Sequence, residues 1–368
     1  MKKAIFLITL SFLTMCSSVN QIDNKKSTSF FVGTYTNGES EGIYKCQIDS
    51  EGKLSKIGLM AKTSNPSFLA KTVDHKTLLA VDETDENGTG FVKSYQIKED
   101  TLLFVSKSQS GGAHPCFVTV NEKNQVLVAN YSGGNVGYLN IDDQNGLTNL
   151  LSIQQHTGKG TTDRQEAPHA HSAWFYPKTN KIISADLGTN ELWFSTIDER
   201  KNQLVFSEPK TLKMAEGAGP RHLAFHPNKE WIYVLNELNN TVSLVSEKEG
   251  IYQIKESIST LPSSFSAYSK AADIHISRDG KFLYASNRGH NSIAIYKVNS
   301  ENGTLQLIDF ENVKGINPRN FALTPDGKFL VVANQDSNNL VSFQRNSKTG
   351  KLTFVDEIKA SNPVCILF

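Results

Sequence analysis

A unit of about 50 residues recurs along this chain of 368 residues, and no other feature limits the possible folds so strongly. Each copy opens with a loop, runs through a short apolar segment, turns, and ends a second apolar segment at an asparagine or aspartate. The closing residues are spaced by 48, 56, 50, 51 and 47 residues, and they are Asp82, Asn130, Asp186, Asn236, Asn287 and Asn334. Alternating apolar and polar residues predict β-strands, two before each closing residue and two after it.

Four strands per unit at this period are typical of a β-propeller blade. The two ends of the chain supply one more unit, because residues 362–368 resemble a first strand and residues 30–35 a second strand that lacks its first. We therefore predict an all-β, seven-bladed β-propeller whose last blade is closed by the N- and C-terminal strands, which leaves no open sheet edge. An open pair of β-sandwiches is the alternative, but six matching units and two complementary half-units favour the ring.

The N-terminus has the pattern of an export signal. Lys2 and Lys3 precede an apolar run over residues 4–15 that is too short to span a bilayer. The run ends at Cys16 in a segment similar to a bacterial lipobox, although Met15 replaces the small residue usual before the cysteine. We predict a signal peptide and polar tether over residues 1–28, a propeller domain over residues 29–368, and an exported periplasmic or cell-envelope lipoprotein lipidated at Cys16. An ordinary signal peptide with a chance cysteine is the alternative.

The charge balance excludes some partners. Lys and Arg number 38 and Asp and Glu number 37, so the net charge of +1 offers no electrostatic basis for binding nucleic acid or an anionic membrane surface. The remaining cysteines, Cys46, Cys116 and Cys365, match no metal-binding spacing and are interpreted as small buried side chains. We expect a small-molecule partner. The oligomeric state is left open, with a monomer as the simpler expectation.

A propeller brings the start of each first strand and the end of each second strand to one end of its axis, where a ligand site is common. Histidine, arginine and glutamate gather at these positions. Such a set can supply a general base, an anion clamp and an oxyanion stabiliser. The residues concerned are His114, His169, His171, Arg221, His222, Glu237, Arg288, His290 and Arg319. For any single histidine, a hydrogen bond to loop backbone is the simpler interpretation, and the Asn and Asp closing residues are interpreted as turn formers that bond backbone two residues on.

Several of these positions lie in recognisable motifs. The chain resembles the seven-bladed lactonase family, which includes the propeller type of 6-phosphogluconolactonase and is related to fungal carboxymuconate cycloisomerases. The resemblance implies a catalytic set of one histidine, two arginines and one glutamate, which the motifs carry onto His171, Arg221, Arg288 and Glu237. The motifs are VGTYT (32–36), PHAHS (168–172), ADLGT (185–189), GPRHLAFHP (219–227), NEL (236–238), SNRGH (286–290) and VANQD (332–336).

The resemblance implies hydrolysis of a sugar lactone like 6-phosphogluconolactone to the open acid, with no cofactor and no metal. His171 or Glu237 would take a proton from the attacking water, while Arg221 and Arg288 would bind negative charge. The predicted substrate-binding residues are His169, His222, His290 and Arg319. Three alternatives stay open: a cycloisomerase acting on a different lactone, an exported binding propeller without catalysis, and a lactonase assisted by Ca²⁺ on the oxygens of Glu83, Asn130, Asp186 and Asn236.

Overall fold

The computed structural model describes residues 27–368. The predicted signal peptide and Cys16 therefore lie outside the described residues, apart from the last two positions of the tether. Residues 27–368 form twenty-eight β-strands and one short 3-10 helix (Asp163–Gln165). Within this part of the chain, no helix is long and apolar enough to cross a membrane.

The strands form seven antiparallel sheets of four strands each. The sheet that joins the chain ends, blade 7, contains β1 (Thr28–Thr34), β2 (Gly42–Ile48), β3 (Leu54–Lys62) and β28 (Pro363–Leu367). Blade 1 contains β4 (Leu69–Lys71), β5 (Thr77–Asp82), β6 (Phe91–Ile97) and β7 (Leu102–Gln109). Blade 2 contains β8 (Pro115–Val120), β9 (Gln125–Asn130), β10 (Asn135–Asn140) and β11 (Ser152–Gln155).

The other four blades follow in chain order. Blade 3 contains β12 (Ala170–Phe175), β13 (Lys181–Asp186), β14 (Glu191–Asp198) and β15 (Gln203–Lys213). Blade 4 contains β16 (Pro220–Phe225), β17 (Trp231–Asn236), β18 (Thr241–Lys248) and β19 (Ile251–Ser259). Blade 5 contains β20 (Lys270–Ile276), β21 (Phe282–Arg288), β22 (Ser292–Val298) and β23 (Leu305–Asn312). Blade 6 contains β24 (Pro318–Leu323), β25 (Phe329–Asn334), β26 (Asn339–Arg345) and β27 (Leu352–Lys359).

Blade 7 closes the ring as predicted. Its inner strand β28 pairs antiparallel with β1, with Val32 opposite Ile366 and Gly33 opposite Cys365. The inner strands contact their neighbours all the way round, including β28 with β24 on one side and with β4 on the other. The predicted seven-bladed, all-β propeller with a terminal-strand closure is therefore confirmed.

The hydrophobic core is divided among the seven interfaces between neighbouring blades. Tyr233 of blade 4 packs in one cluster with Leu283 of blade 5, and Phe30 of blade 7 packs in another with Val331 of blade 6. Burial of one such large side chain contributes about 1.5–3 kcal/mol. Packing between neighbouring blades therefore stabilises the ring at each of the seven interfaces. The three cysteines of the described chain are free and buried, as interpreted from the sequence.

The Asn and Asp residues that close the second strands are buried and structural, but their partners differ from the expected ones. The side-chain amides of Asn130, Asn287 and Asn334 donate to backbone carbonyls of Ser110, Thr260 and Val313. These carbonyls lie where the chain arrives from the outer strand of the preceding blade. These three asparagines therefore anchor the passage between blades, because that passage would otherwise bury an unpaired carbonyl. Asp186 instead accepts from the backbone N–H groups of His169 and Thr189, and Asp82 pairs with Lys93.

Candidate active site

A cavity of about 200 Å³ lies where the first strands open and the second strands end. Its lining consists of Glu83, Cys116, Tyr131, Arg164, His171, Glu237, Lys270, Arg288 and Arg319. Most of these residues come from two repeated positions, one at the start of an inner strand and one directly after the closing Asn or Asp. The predicted location of the site at this end of the axis agrees with the geometry.

Inner-strand bulges supply the first of the two positions. In blades 2, 3, 4 and 6 the pairing of the inner strand with its neighbour slips by one residue, between Pro115 and Phe117 in blade 2, for example. The extra residue has no partner across the sheet, and a bulge of this kind re-aims its side chain. The four extra residues are Cys116, His171, Arg221 and Arg319. Three of them line the cavity, and the fourth, Arg221, contacts a lining residue.

Glu237 follows the end of β17 and is the centre of a buried ion cluster. Its Oε2 atom lies 3.0 Å from Nε of Arg221 and 2.9 Å from Nη2 of Arg288, and its Oε1 atom lies 3.7 Å from Nη2 of Arg164. Only 3% of Glu237 and 2% of Arg221 are exposed. A buried charge of this kind is tolerated only when opposite charges compensate it. We call this group, with the nearby Lys270, the arginine cluster.

The arginine cluster keeps Glu237 ionised. Burial raises the pKa of Glu237, but the charges of Arg288 and Arg221 outweigh it and lower the pKa to about 2. Burial and the neighbouring Arg288 lower the pKa of Arg221 to about 10, so its guanidinium is still charged at neutral pH. Arg221 also donates to the carbonyl of Ala272, and Arg288 donates to that of Ala271 at 3.1 Å. Both arginines are therefore anchored to the start of β20.

His171 is the bulge residue of blade 3 and lies beside this cluster. Its Nε2 atom is 4.0 Å from Oε2 of Glu237, and its Nδ1 atom is 3.7 Å from the sulfur of Cys116. Burial, followed by the charge of Arg221, holds the pKa of His171 well below its usual range, so the imidazole is neutral at neutral pH. Burial also raises the pKa of Cys116, which keeps its thiol protonated.

Sequence reasoning named Glu83 as a possible Ca²⁺ ligand and Arg319 as a substrate-binding residue, but it did not predict that they form a second cluster across the cavity from the first. Glu83 accepts hydrogen bonds from the Tyr35 hydroxyl at 2.9 and 3.0 Å and from the Ser67 hydroxyl. Arg319 donates to the Tyr35 oxygen at 2.7 Å, and its guanidinium lies over the Tyr35 ring. We call this group the Glu83 cluster. A signal for it was available, since Glu83 follows Asp82 as Glu237 follows Asn236.

Three of the predicted substrate-binding histidines do not line the cavity within the described part of the chain. His169 stacks on the outside of Tyr131, with ring centroids 4.5 Å apart, and contacts Glu166. His290 lies in the turn after β21, where it contacts Ser292 and the rings of Phe265 and Phe310. Neither position is a bulge, so neither side chain is re-aimed to the axis. Arg319, by contrast, lines the cavity.

His222, the third of these histidines, is directed below the cavity. It follows the bulge residue Arg221, and its Nδ1 atom lies 2.8 Å from Oδ1 of Asp273. Asp273 is nearly fully buried and also contacts His275 at 3.0 Å and Asn320 at 2.6 Å. Burial and Arg221 lower the pKa of His222 to about 4, which outweighs the attraction of Asp273. His222 therefore belongs to a polar network inside the channel.

The four oxygen ligands considered for Ca²⁺ do not meet. Only Glu83 lines the cavity, while Asp186 contacts His156 at 2.7 Å, and Asn236 bonds two hydroxyl groups on β18. Asn130 bonds the chain that arrives from blade 1. Residues 27–368 contain no group of three or more His, Cys, Asp or Glu side chains placed to hold a metal ion.

Comparison with known proteins agrees with this geometry. The family model described as "Lactonase, 7-bladed beta-propeller" matches residues 29–368. The 6-phosphogluconolactonase of Bacillus subtilis is 38% identical over 301 residues, 80% of this chain and 84% of that protein. The 6-phosphogluconolactonase of Formosa agariphila is 33% identical over 304 residues, 80% of this chain and 86% of that protein. The solved structure of a periplasmic gluconolactonase from Pseudomonas aeruginosa has a TM-score of 0.88 at 28% identity, covering 93% of this chain and 98% of that one.

The fold, together with these relatives, identifies the protein as a β-propeller enzyme that hydrolyses lactones. The chain belongs to the seven-bladed β-propeller lactonase family, as its motifs predicted.

Proposed function

We propose that this protein hydrolyses a sugar lactone in the cavity, with 6-phosphogluconolactone as the first candidate substrate. The observation that carries the proposal is the pairing of a buried and a part-buried arginine with one carboxylate beside a neutral imidazole. Attack on a lactone carbonyl develops negative charge on oxygen, and fixed cations in a water-poor cavity stabilise that charge strongly. The buried Nε–H group of Arg288 has no hydrogen-bond partner within residues 27–368, and we propose that it donates to such an oxygen.

The proposed reaction assigns one role to each central residue. His171 takes a proton from water through Nε2, and the water oxygen bonds to the carbonyl carbon. The oxyanion forms beside Arg221 and Arg288. The bond between that carbon and the ring oxygen then breaks, and the ring oxygen takes the proton from the imidazolium, which gives the open hydroxy acid.

Glu237 is a weaker candidate for the base than His171. Two arginines already occupy its Oε2 atom, at 3.0 and 2.9 Å. We propose instead that Glu237 fixes the two arginines and stabilises the imidazolium formed on His171, whose Nε2 atom lies 4.0 Å from it.

The size and charge of the cavity favour a small anionic sugar. A cavity of about 200 Å³ is below the roughly 300–1,000 Å³ typical of sites for drug-sized ligands, so it suits a single sugar ring. Arg164 and Lys270 line the cavity beside Glu237, whose charge Arg221 and Arg288 already compensate. This excess positive charge would attract a phosphate or carboxylate substituent.

The direct test is hydrolysis of freshly made 6-phosphogluconolactone and of unphosphorylated gluconolactone by the purified protein, measured above the spontaneous rate in buffer. Turnover that is lost in Glu237→Gln and His171→Ala supports the proposed site, and the preferred lactone identifies the substrate class. Turnover of neither lactone contradicts the proposal. Binding of either lactone without turnover would then favour the binding propeller, and conversion of an unsaturated lactone would favour a cycloisomerase.

We also propose that the protein is exported and attached to the cell envelope through a lipidated Cys16. The charged start, the short apolar run and the lipobox-like segment support this proposal, as does the periplasmic location in the name of the Pseudomonas relative. Fractionation and mass spectrometry of the mature N-terminus provide the test. We expect Cys16 of the wild type to carry a lipid, and we expect the Cys16→Ala variant to move to the soluble fraction. An unmodified N-terminus beyond Cys16 would contradict the proposal.

A further inference from the structure

The Glu83 cluster has no part in the reaction proposed above. Glu83 and Glu237 line the same cavity from blades 1 and 4, which lie nearly opposite in a ring of seven. Within residues 27–368, no lysine, arginine or histidine nitrogen pairs with the Glu83 carboxylate within 4.0 Å, whereas Glu237 has several such partners. Two carboxylates at one repeated position therefore have different surroundings.

The surroundings of Glu83 are built to hold an acceptor in place. Burial raises the pKa of Tyr35 far above its usual value, so its neutral hydroxyl remains a donor to Glu83. Arg319 fixes that hydroxyl from the other side, and Tyr35 together with Glu83 raises the pKa of Arg319 despite its burial. The backbone carbonyl of Glu83 accepts from the Asn65 side chain at 3.3 Å. Hydrogen bonds thus hold both the carboxylate and the backbone of Glu83 in place.

This carboxylate keeps capacity for further donors. An ionised carboxylate has about four acceptor positions, and Tyr35 and Ser67 supply two donors. Hydroxyl groups of a ligand are suitable donors for the positions that face the cavity, whereas phosphate or carboxylate groups would be repelled. The positive charge that attracts such anions lies on the opposite side, at Arg164 and Lys270.

We infer that Glu83, held by Tyr35 and Ser67, is the specificity site that binds the ring hydroxyl groups of a polyhydroxylated lactone. The inference rests on the proposed lactone hydrolysis and adds to it a reason why a sugar lactone is preferred over a plain one. A site built to bond a hydroxyl discriminates strongly against an analogue that lacks it, because its own polar group is then left unpaired. Glu83 binds and orients the substrate in this scheme and transfers no proton.

The test compares two lactones with the same six-membered ring: gluconolactone, which carries hydroxyls, and δ-valerolactone, which carries none. The variants are Glu83→Gln and, as the matched control, Glu86→Gln, an exposed residue three positions later in the same loop. For Glu83→Gln we expect kcat/KM on gluconolactone to fall about 10- to 100-fold, the value of one charge-assisted hydrogen bond. On δ-valerolactone the variant should stay within about 2-fold of the wild type. Tyr35→Phe should show the same selectivity with a smaller loss.

Equal losses on both lactones, or no loss on gluconolactone, would overturn the inference. Failure of the proposed function would look different, because the wild type itself would then turn over neither lactone. In that case calorimetry with D-gluconate decides: weaker binding to Glu83→Gln than to the wild type supports the hydroxyl site, and equal binding overturns it. Circular dichroism and thermal unfolding of each variant identify a loss that comes from misfolding.

Discussion

Glu237 and Glu83 occupy the same position in two blades, yet they are carboxylates of different kinds. Three arginines surround Glu237, which is 3% exposed and is held ionised with a pKa of about 2. Hydroxyl groups surround Glu83, and Arg319 reaches it only through Tyr35. The repeat therefore assigns the location of a side chain, while residues of its own and of the neighbouring blades assign its chemistry.

The difference comes from bulge residues of the inner strands and from residues at the ends of second strands. Arg221 and His171 reach Glu237 from blades 4 and 3, and Arg288 reaches it from the end of β21 in blade 5. Around Glu83, the partners are Tyr35, which directly follows β1 of blade 7, and Arg319, the bulge residue of blade 6. One side of the cavity thus gathers positive charge, and the other is balanced.

The largest expected effect is on the arginine cluster. Glu237→Ala leaves the buried Arg221 and the part-buried Arg288 without their counter-ion, so the free energy of unfolding should fall by about 3–5 kcal/mol. Glu83→Ala removes an acceptor from two hydroxyls and should lower it by about 1–3 kcal/mol. Urea denaturation of both variants measures the difference. A larger loss in Glu83→Ala than in Glu237→Ala would reverse the comparison.

His171→Ala should lower kcat about 10²- to 10⁴-fold, the usual contribution of a general base, with a small change in KM. The neighbouring His169 provides the control, because it packs outside the cavity on Tyr131. His169→Ala should cost less than about 10-fold. Steady-state hydrolysis of gluconolactone provides the measurement. Similar losses in both variants would show that neither histidine acts as the base alone.

Acid should lower the free energy of unfolding through buried histidines such as His222. An unfolded histidine takes up a proton near pH 6.5, whereas folded His222, with a pKa of about 4, does not. Stability should therefore fall as the pH drops from about 6.5 to about 4, by about 1.4 kcal/mol per pH unit for each such histidine. His275 offsets part of this loss, because Asp273 raises its pKa despite burial.

Urea midpoints measured from pH 7.5 to pH 4.5 test this dependence. His222→Gln should flatten it, and Glu83→Gln should leave it unchanged. If the pH dependence of stability responds to Glu83→Gln and not to His222→Gln, the attribution of this dependence to His222 is wrong.

The smallest effect is expected at Lys270, which lines the cavity. Lys270→Gln removes one cation of the arginine cluster that no carboxylate compensates within residues 27–368. KM for 6-phosphogluconolactone should therefore rise about 3- to 10-fold at low salt, with little change for gluconolactone. Lys107→Gln is the matched control, because Lys107 lies on β7, the outer strand of blade 1. Initial rates at low and high salt measure the effect, and an equal rise in KM for both lactones would contradict it.

Much of the fold could be predicted because a propeller repeats its pattern. The six closing residues from Asp82 to Asn334 predicted the blades, and the half-units at the ends predicted their closure, both of which the sheet pairing confirms. The catalytic set proposed from the motifs, His171, Arg221, Glu237 and Arg288, is brought together around one carboxylate. His169, His222 and His290 were grouped with them because they lie close in sequence to the same turns.

The sequence by itself determined the number of blades, the ring closure and the end of the axis at which the repeated positions gather, because these follow from a period that is local and repeated. Only the tertiary structure decided which side chains enter the cavity. A one-residue bulge directs His171 inward while His169 packs outside on Tyr131, and no spacing rule distinguishes the two. The tertiary structure also decided that Glu237 is held by arginines and Glu83 by hydroxyls, since Arg288 and Tyr35 come from neighbouring blades and meet these carboxylates only when the ring closes.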